Sequence, residues 1–131
     1  MTLWLIKFAM CAIMPRTEAL PGIGDTDLDG FLRRLRVDAE PLYWLGLVVG
    51  AVVFAVTPLV TVGLPLPAFW LPHGRLDRHA DRLLSHRVYL LRQAVFLVRL
   101  SAGLCWGADP VVRSRLALAP YAADPGSFRG A

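Results

Sequence analysis

From Pro41 to Pro72 the chain carries no charged residue. A stretch of this kind has to leave water, either into the core of a fold or into lipid. Its inner part, Leu42 to Leu64, is long enough to cross a bilayer when tilted. Tyr43 and Trp44 stand at one end and Trp70 lies beyond the other, in the manner of interfacial aromatic anchors. Asp38 offers a helix cap, with Glu40 and Pro41 in the first turn that follows. Pro58 predicts a kink or a stop, and membrane helices tolerate such a residue better than soluble ones. Two readings therefore stand. One is a span over 42–64, which is favoured. The other is a buried core helix over Leu42 to Val56, followed by an apolar loop through Pro65 and Pro67.

Composition bears on that choice. The 131 residues are 56% hydrophobic and only 18% charged, against roughly 25% charged in ordinary soluble domains. A single domain of this length struggles to bury so much apolar surface within itself. The excess calls for lipid or for a partner protein. The net charge is +4, and Lys7 is the only lysine among the basic residues. Arginine suits fixed pairing with carboxylates or phosphates. The basic residues flank or interrupt apolar helices instead of forming a polar, aromatic-interleaved module, which argues against nucleic acid as a partner.

The chain divides into an apolar N-terminal segment with its linker, 1–24, and a helical domain, 25–131. Thr2 to Met14 is apolar apart from Lys7 and too short to span a bilayer. It lacks the charged start and the small-residue cleavage site of a secretory signal, so a short interfacial or packed helix is expected. Phe8-Ala9-Met10-Cys11 has the outline of a lipoprotein cleavage box, but Met10 is too bulky for its position. Pro15 to Asp25, with Pro21, Gly22 and Gly24, reads as a linker. Thr26 and Asp29 resemble a capping box opening an amphipathic helix that ends near Val37 and carries Arg33, Arg34 and Arg36.

Residues 75–106 read as one long amphipathic helix. Leu84, Val88, Leu91, Val95, Val98, Ala102 and Cys105 form a heptad-like apolar seam. A second stripe holds Arg78, Arg82, Ser85, Tyr89, Arg92, Phe96 and Arg99. A transmembrane placement would sink Arg92 and Arg99 at roughly 2.5–3.5 kcal/mol each. This helix is therefore expected at an interface or against protein. The residues proposed to meet a partner or lipid are Arg78, Arg82, Tyr89, Arg92, Phe96 and Arg99. Asp109-Pro110 starts a short helix to Leu118, and Pro120, Pro125 and Gly126 end regular structure.

Chemistry of the chain's own is not evident. His79 and His86 are two helical turns apart, too far to share a metal ion. Asp77 and Asp81 lie one turn apart, but His79 points away from both. His73, His79 and His86 are read as solvated or partner-pairing groups. No nucleophile motif, dinucleotide fingerprint or phosphate loop is present, and Gly22-Ile23-Gly24 is a turn. No catalytic, cofactor-binding or metal-ligating residue is assigned.

Leu66-Pro67-Ala68-Phe69, Arg78-His79-Ala80, Ser85 to Gln93, Leu104 to Pro110, Val111-Val112-Arg113 and Pro120-Tyr121 follow one another in an order that resembles a known region. It is the helical accessory region of GMC-type FAD-dependent oxidoreductases. There it occurs as a small subunit, as in gluconate dehydrogenases, or as the N-terminal region of long-chain alcohol oxidases. The resemblance covers roughly 25–129. It implies a non-catalytic subunit that anchors, folds or exports a large flavoprotein, with FAD in that partner and none here. It also implies a bacterial inner-membrane setting. The chain departs from exported small subunits in lacking a twin-arginine signal, since Arg33-Arg34 is internal.

The expectation is an all-α protein of about four helices. One is the long apolar helix 42–64 and one the arginine-rich helix 75–106. The expected function is a membrane-associated accessory subunit or anchor. The alternative is a stand-alone membrane protein whose arginine stripe binds anionic lipid headgroups. Arginines on both sides of the apolar stretch give no orientation.

Overall fold

The computed structural model describes residues 1–120. In chain order they form helices α1 (Thr2–Ile13), α2 (Leu28–Asp38), α3 (Pro41–Val56), α4 (Pro58–Val62), α5 (His73–Leu84), α6 (Tyr89–Ala108) and α7 (Pro110–Arg115). Single 3-10 turns occur at Ile23–Asp25 and Ala68–Trp70, and no strand occurs among the described residues. The all-α expectation holds, but the number and length of the helices do not. Seven α-helices replace about four, and no single described helix is long and apolar enough to cross a membrane.

The expected apolar helix 42–64 breaks at Pro58. Proline has no N–H for the helical ladder and its ring crowds the preceding turn. Thr57 closes α3, and Gly63 at φ +73° closes α4 in the left-handed conformation that glycine tolerates. Residues 64–67 then run on as an irregular apolar segment.

The expected helix 75–106 is two helices bent by 112°. No proline or glycine marks this break. Local side-chain bonds make it. Both the backbone N–H of Ser85 and its hydroxyl donate to the Asp81 carbonyl, at 3.2 and 2.7 Å. His86 Nδ1 accepts from the Val88 N–H at 3.1 Å. Bonds of this kind offer the backbone an alternative to the helical ladder.

Three helices carry the core. α1 supplies Ile6, Ala9 and Met10, α3 supplies Leu47, Ala51 and Phe54, and α6 supplies Val95, Val98 and Ala102. The lower half of the predicted α6 seam is thus buried, whereas Val88 at its start is exposed. α3 and α6 pack closely because Gly46 and Gly50 face α6, a spacing that lets helix backbones approach. A Cβ on Gly46 would stand 2.5 Å from Leu97 Cδ1, and one on Gly50 would collide with the Ala94 carbonyl. Tyr43 and Ser101 share a hydroxyl hydrogen bond of 2.6 Å across the same pair. These matches, 43 with 101 and 46 with 97, run the two helices antiparallel.

The segment after α1 is tied down by polar contacts. Arg16 pairs with Asp25, Lys7 Nζ meets Asp29 at 2.6 Å, and Trp106 Nε1 donates to the Pro21 carbonyl at 2.8 Å. Capping differs in detail from the sequence reading. Asp27, and not Thr26, caps α2 by accepting from Gly30 N–H at 3.1 Å, while Asp29 is used by Lys7. Glu40 precedes α3, and Asp38 ends α2. Asp109 caps α7 as its sequence predicts, accepting from Val111 and Val112. Tyr121, Pro125, Gly126 and Arg129 lie outside the described residues.

Candidate functional site

The bend between α5 and α6 splits the arginine stripe. Arg78 and Arg82 stay on α5, while Tyr89, Arg92, Phe96 and Arg99 go to α6. Two of the four arginines turn partly inward. Arg82 donates to the Thr61 carbonyl at 2.7 Å. Arg92 donates to the His86 carbonyl at 3.1 Å, and its guanidinium stands 5.7 Å from the Tyr89 ring centre. Arg78 and Arg99 remain exposed.

What the structure brings together instead is an apolar face. Leu42, Leu45, Val49, Val52 and Val56 form an exposed line along α3, opposite the core residues Leu47 and Phe54. Leu42 is 76% exposed and Val56 66%. Beyond α3, Leu59 and Val60 on α4 and then Leu66, Phe69 and Trp70 are exposed as well, and Val56, Leu59 and Leu66 line one shallow depression. The exposed Trp4 of α1 stands edge-on to Phe69 at 5.7 Å. α6 extends the face sideways. Leu97 covers Gly46, so Leu90, seven residues before it, and Leu100 and Leu104, three and seven after it, lie beside the α3 line, with the exposed Gln93 among them. Further around α6, at about 100° per residue, come Phe96 and Tyr89, and beyond them Arg92 and Arg99. The far edge of α3 carries Trp44, with the Arg36 guanidinium 5.8 Å from its ring centre.

Every exposed residue between 41 and 70 is apolar, glycine or proline, apart from the indole N–H of Trp70. The two threonines in this stretch are buried and bonded inward.

His79 is the largest departure from the sequence reading. It is fully buried, not solvated. Pro58 leaves the Phe54 carbonyl without its helical donor, and His79 Nε2 supplies one at 2.7 Å. A carbonyl only accepts, so Nε2 carries the proton. Nδ1 then accepts from the Thr61 hydroxyl at 2.5 Å. Burial pushes the His79 pKa down, against a smaller upward pull from the Phe54 carbonyl. The imidazole thus acts as a neutral clasp between α3, α4 and α5. The only hint in the sequence was the apolar pair Ala80 and Leu83 beside it on α5, which points to burial and not to its partner.

Two depressions hold polar groups. One, of about 680 Å³, lies between α2 and the junction of α6 with α7. Its carboxylates, Asp27 and Asp109, are helix caps, and Arg113 is bonded to the Gly107 and Ala119 carbonyls. The other, of about 380 Å³, is lined by Cys11, Arg16, Asp25, His73 and Asp77 among others. Arg16 and Asp25 pair with each other there, which holds the Asp25 carboxyl below its ordinary range. Burial pushes the Cys11 thiol up, with Lys7 opposing, so the thiolate form is disfavoured. Among the described residues no three His, Cys, Asp or Glu side chains could hold a metal ion.

No family model matches the chain, and neither a characterised protein nor a solved structure does.

Proposed function

We propose that the protein is a non-catalytic accessory protein that seats on a membrane surface through the α3–α4–α6 face. The observation that carries this reading is the absence of exposed polar side chains, other than the Trp70 indole, from 41 to 70. A protein partner would supply and demand about one hydrogen bond per 100–200 Å². Bilayer hydrocarbon supplies none and penalises every unmatched polar group. No single described helix is long and apolar enough to cross, and the exposed apolar line keeps to one side of α3, which suits a seat lying along the surface. The five α3 side chains are each worth about 1 kcal/mol at their exposure, so the line alone contributes ~5 kcal/mol. Trp70, Trp4 and Trp44 border it, where indoles favour the headgroup region.

A large FAD-dependent oxidoreductase is the proposed cargo. Its support is the resemblance of the Leu66–Phe69, Arg78–Ala80, Ser85–Gln93, Leu104–Arg113 and Pro120-Tyr121 segments. It would dock away from the apolar face, and a mild-detergent pull-down giving a flavin absorbance spectrum would bear that out. A colourless lone chain would remove the cargo from the reading.

Flotation of the full chain with phosphatidylcholine vesicles tests the seat. The protein should float with the vesicles, and the V49E/V52E variant should stay behind with an unchanged helical circular dichroism spectrum. A wild-type chain that stays behind as a monodisperse species refutes the proposal.

A further inference from the structure

The apolar face is bounded by arginine, and its grading from leucine through aromatic to arginine has a direction. On α6 the order runs Leu97 and Leu104, then Gln93 and Leu100, then Tyr89 and Phe96, then Arg92 and Arg99. On the opposite edge Trp44 is followed by Arg36. From Leu83 to Ala108 the sequence contains no acidic residue. Ion pairs among the described residues join Lys7 to Asp29, Arg16 to Asp25 and Arg34 to Asp27. They leave Arg36, Arg92 and Arg99 without a carboxylate. Arg92 spends one N–H on the His86 carbonyl and keeps the rest of its fork.

We infer that Arg92 and Arg99, with Arg36 on the far edge, select an anionic phospholipid surface by binding headgroup phosphates. The inference rests on the seat described above and names the kind of membrane it takes. With leucines in the outer hydrocarbon, Phe96 and Tyr89 sit at the boundary and the guanidiniums reach phosphate level. A guanidinium meets a phosphate through a two-pronged hydrogen bond, which lysine lacks. Stacking on Tyr89 and Trp44 fixes two of the three forks beforehand.

The test is flotation of the full chain with vesicles of phosphatidylcholine, then with an increasing share of phosphatidylglycerol. Wild type should bind neutral vesicles and gain affinity as the anionic share rises. R92Q/R99Q should bind neutral vesicles as wild type does and lose about 25-fold of the gain, roughly five-fold per arginine. R33Q/R115Q removes the same charge elsewhere and should keep nearly all of it. If R92Q/R99Q fails to fold, R99Q alone carries the test with a five-fold loss. Retention of the full gain by R92Q/R99Q, or equal loss by both pairs, overturns the inference and leaves the seat standing. Failure of wild type to bind neutral vesicles overturns the seat itself.

Discussion

Replacing His79 by leucine should expose the link between this buried histidine and Pro58. The substitution removes the donor to the Phe54 carbonyl at a site with no access to solvent. One unsatisfied buried acceptor costs about 1–3 kcal/mol. The Thr61 hydroxyl has fallback acceptors, the Thr57 and Pro58 carbonyls at 3.4 Å, so its loss adds little. A penalty of ~2 kcal/mol lowers the midpoint of a chain this long by roughly 6–10 °C. The decisive comparison is the same change in a P58A background. Alanine restores an N–H four residues after Phe54, which can serve the carbonyl that His79 served. Thermal unfolding by circular dichroism of wild type, H79L, P58A and H79L/P58A completes the cycle. The H79L penalty should shrink by about 1–2 kcal/mol when Pro58 is gone. An equal penalty in both backgrounds refutes the idea that His79 substitutes for the donor proline lacks.

Two further outcomes follow from the same geometry. The folded-state pKa of His79 lies below its ordinary value of 6.5, so the unfolded chain takes up a proton that the folded chain refuses. Stability should therefore fall as pH drops through 6.5 toward the lower folded value, and urea titrations should show H79L without that slope. Gly50→Ala would set a Cβ against the Ala94 carbonyl and 2.8 Å from Val98 Cγ2, whereas the same change at Gly103 meets nothing within 4 Å. G50A should lose about 1–3 kcal/mol through strain and G103A gain up to about 1 kcal/mol in helix propensity; urea unfolding of the pair measures both.

Much of the helical skeleton was legible. Pro41 opened α3 and Asp109 capped α7 because those residues act through their own backbone neighbours. Pro58 announced a break for the same reason. The break between α5 and α6 was not legible, since Ser85 and His86 look like ordinary helix residues until their bonds to Asp81 and Val88 are seen. That one bend divided the arginine stripe and sent Arg82 to the Thr61 carbonyl. The apolar face was hidden by α3 itself. A helix that is hydrophobic all round does not say which side its neighbours cover, and Gly46 and Gly50 become the covered side only once α6 is placed. His79 was misjudged because its partner, a carbonyl freed by Pro58, is a backbone group that no residue pattern displays.

The most direct test of the account is the solvent seen by the α3 line when the full chain is bound to vesicles. Nitroxide labels placed singly at Val49 and Val52, with Cys11 and Cys105 replaced by serine and alanine, report collisions with oxygen and with a water-soluble nickel chelate. Both labels should collide more with oxygen than with the chelate, and a label at Arg33 should do the reverse. Chelate-dominated collisions at Val49 and Val52 would place the face in water and contradict the membrane seat.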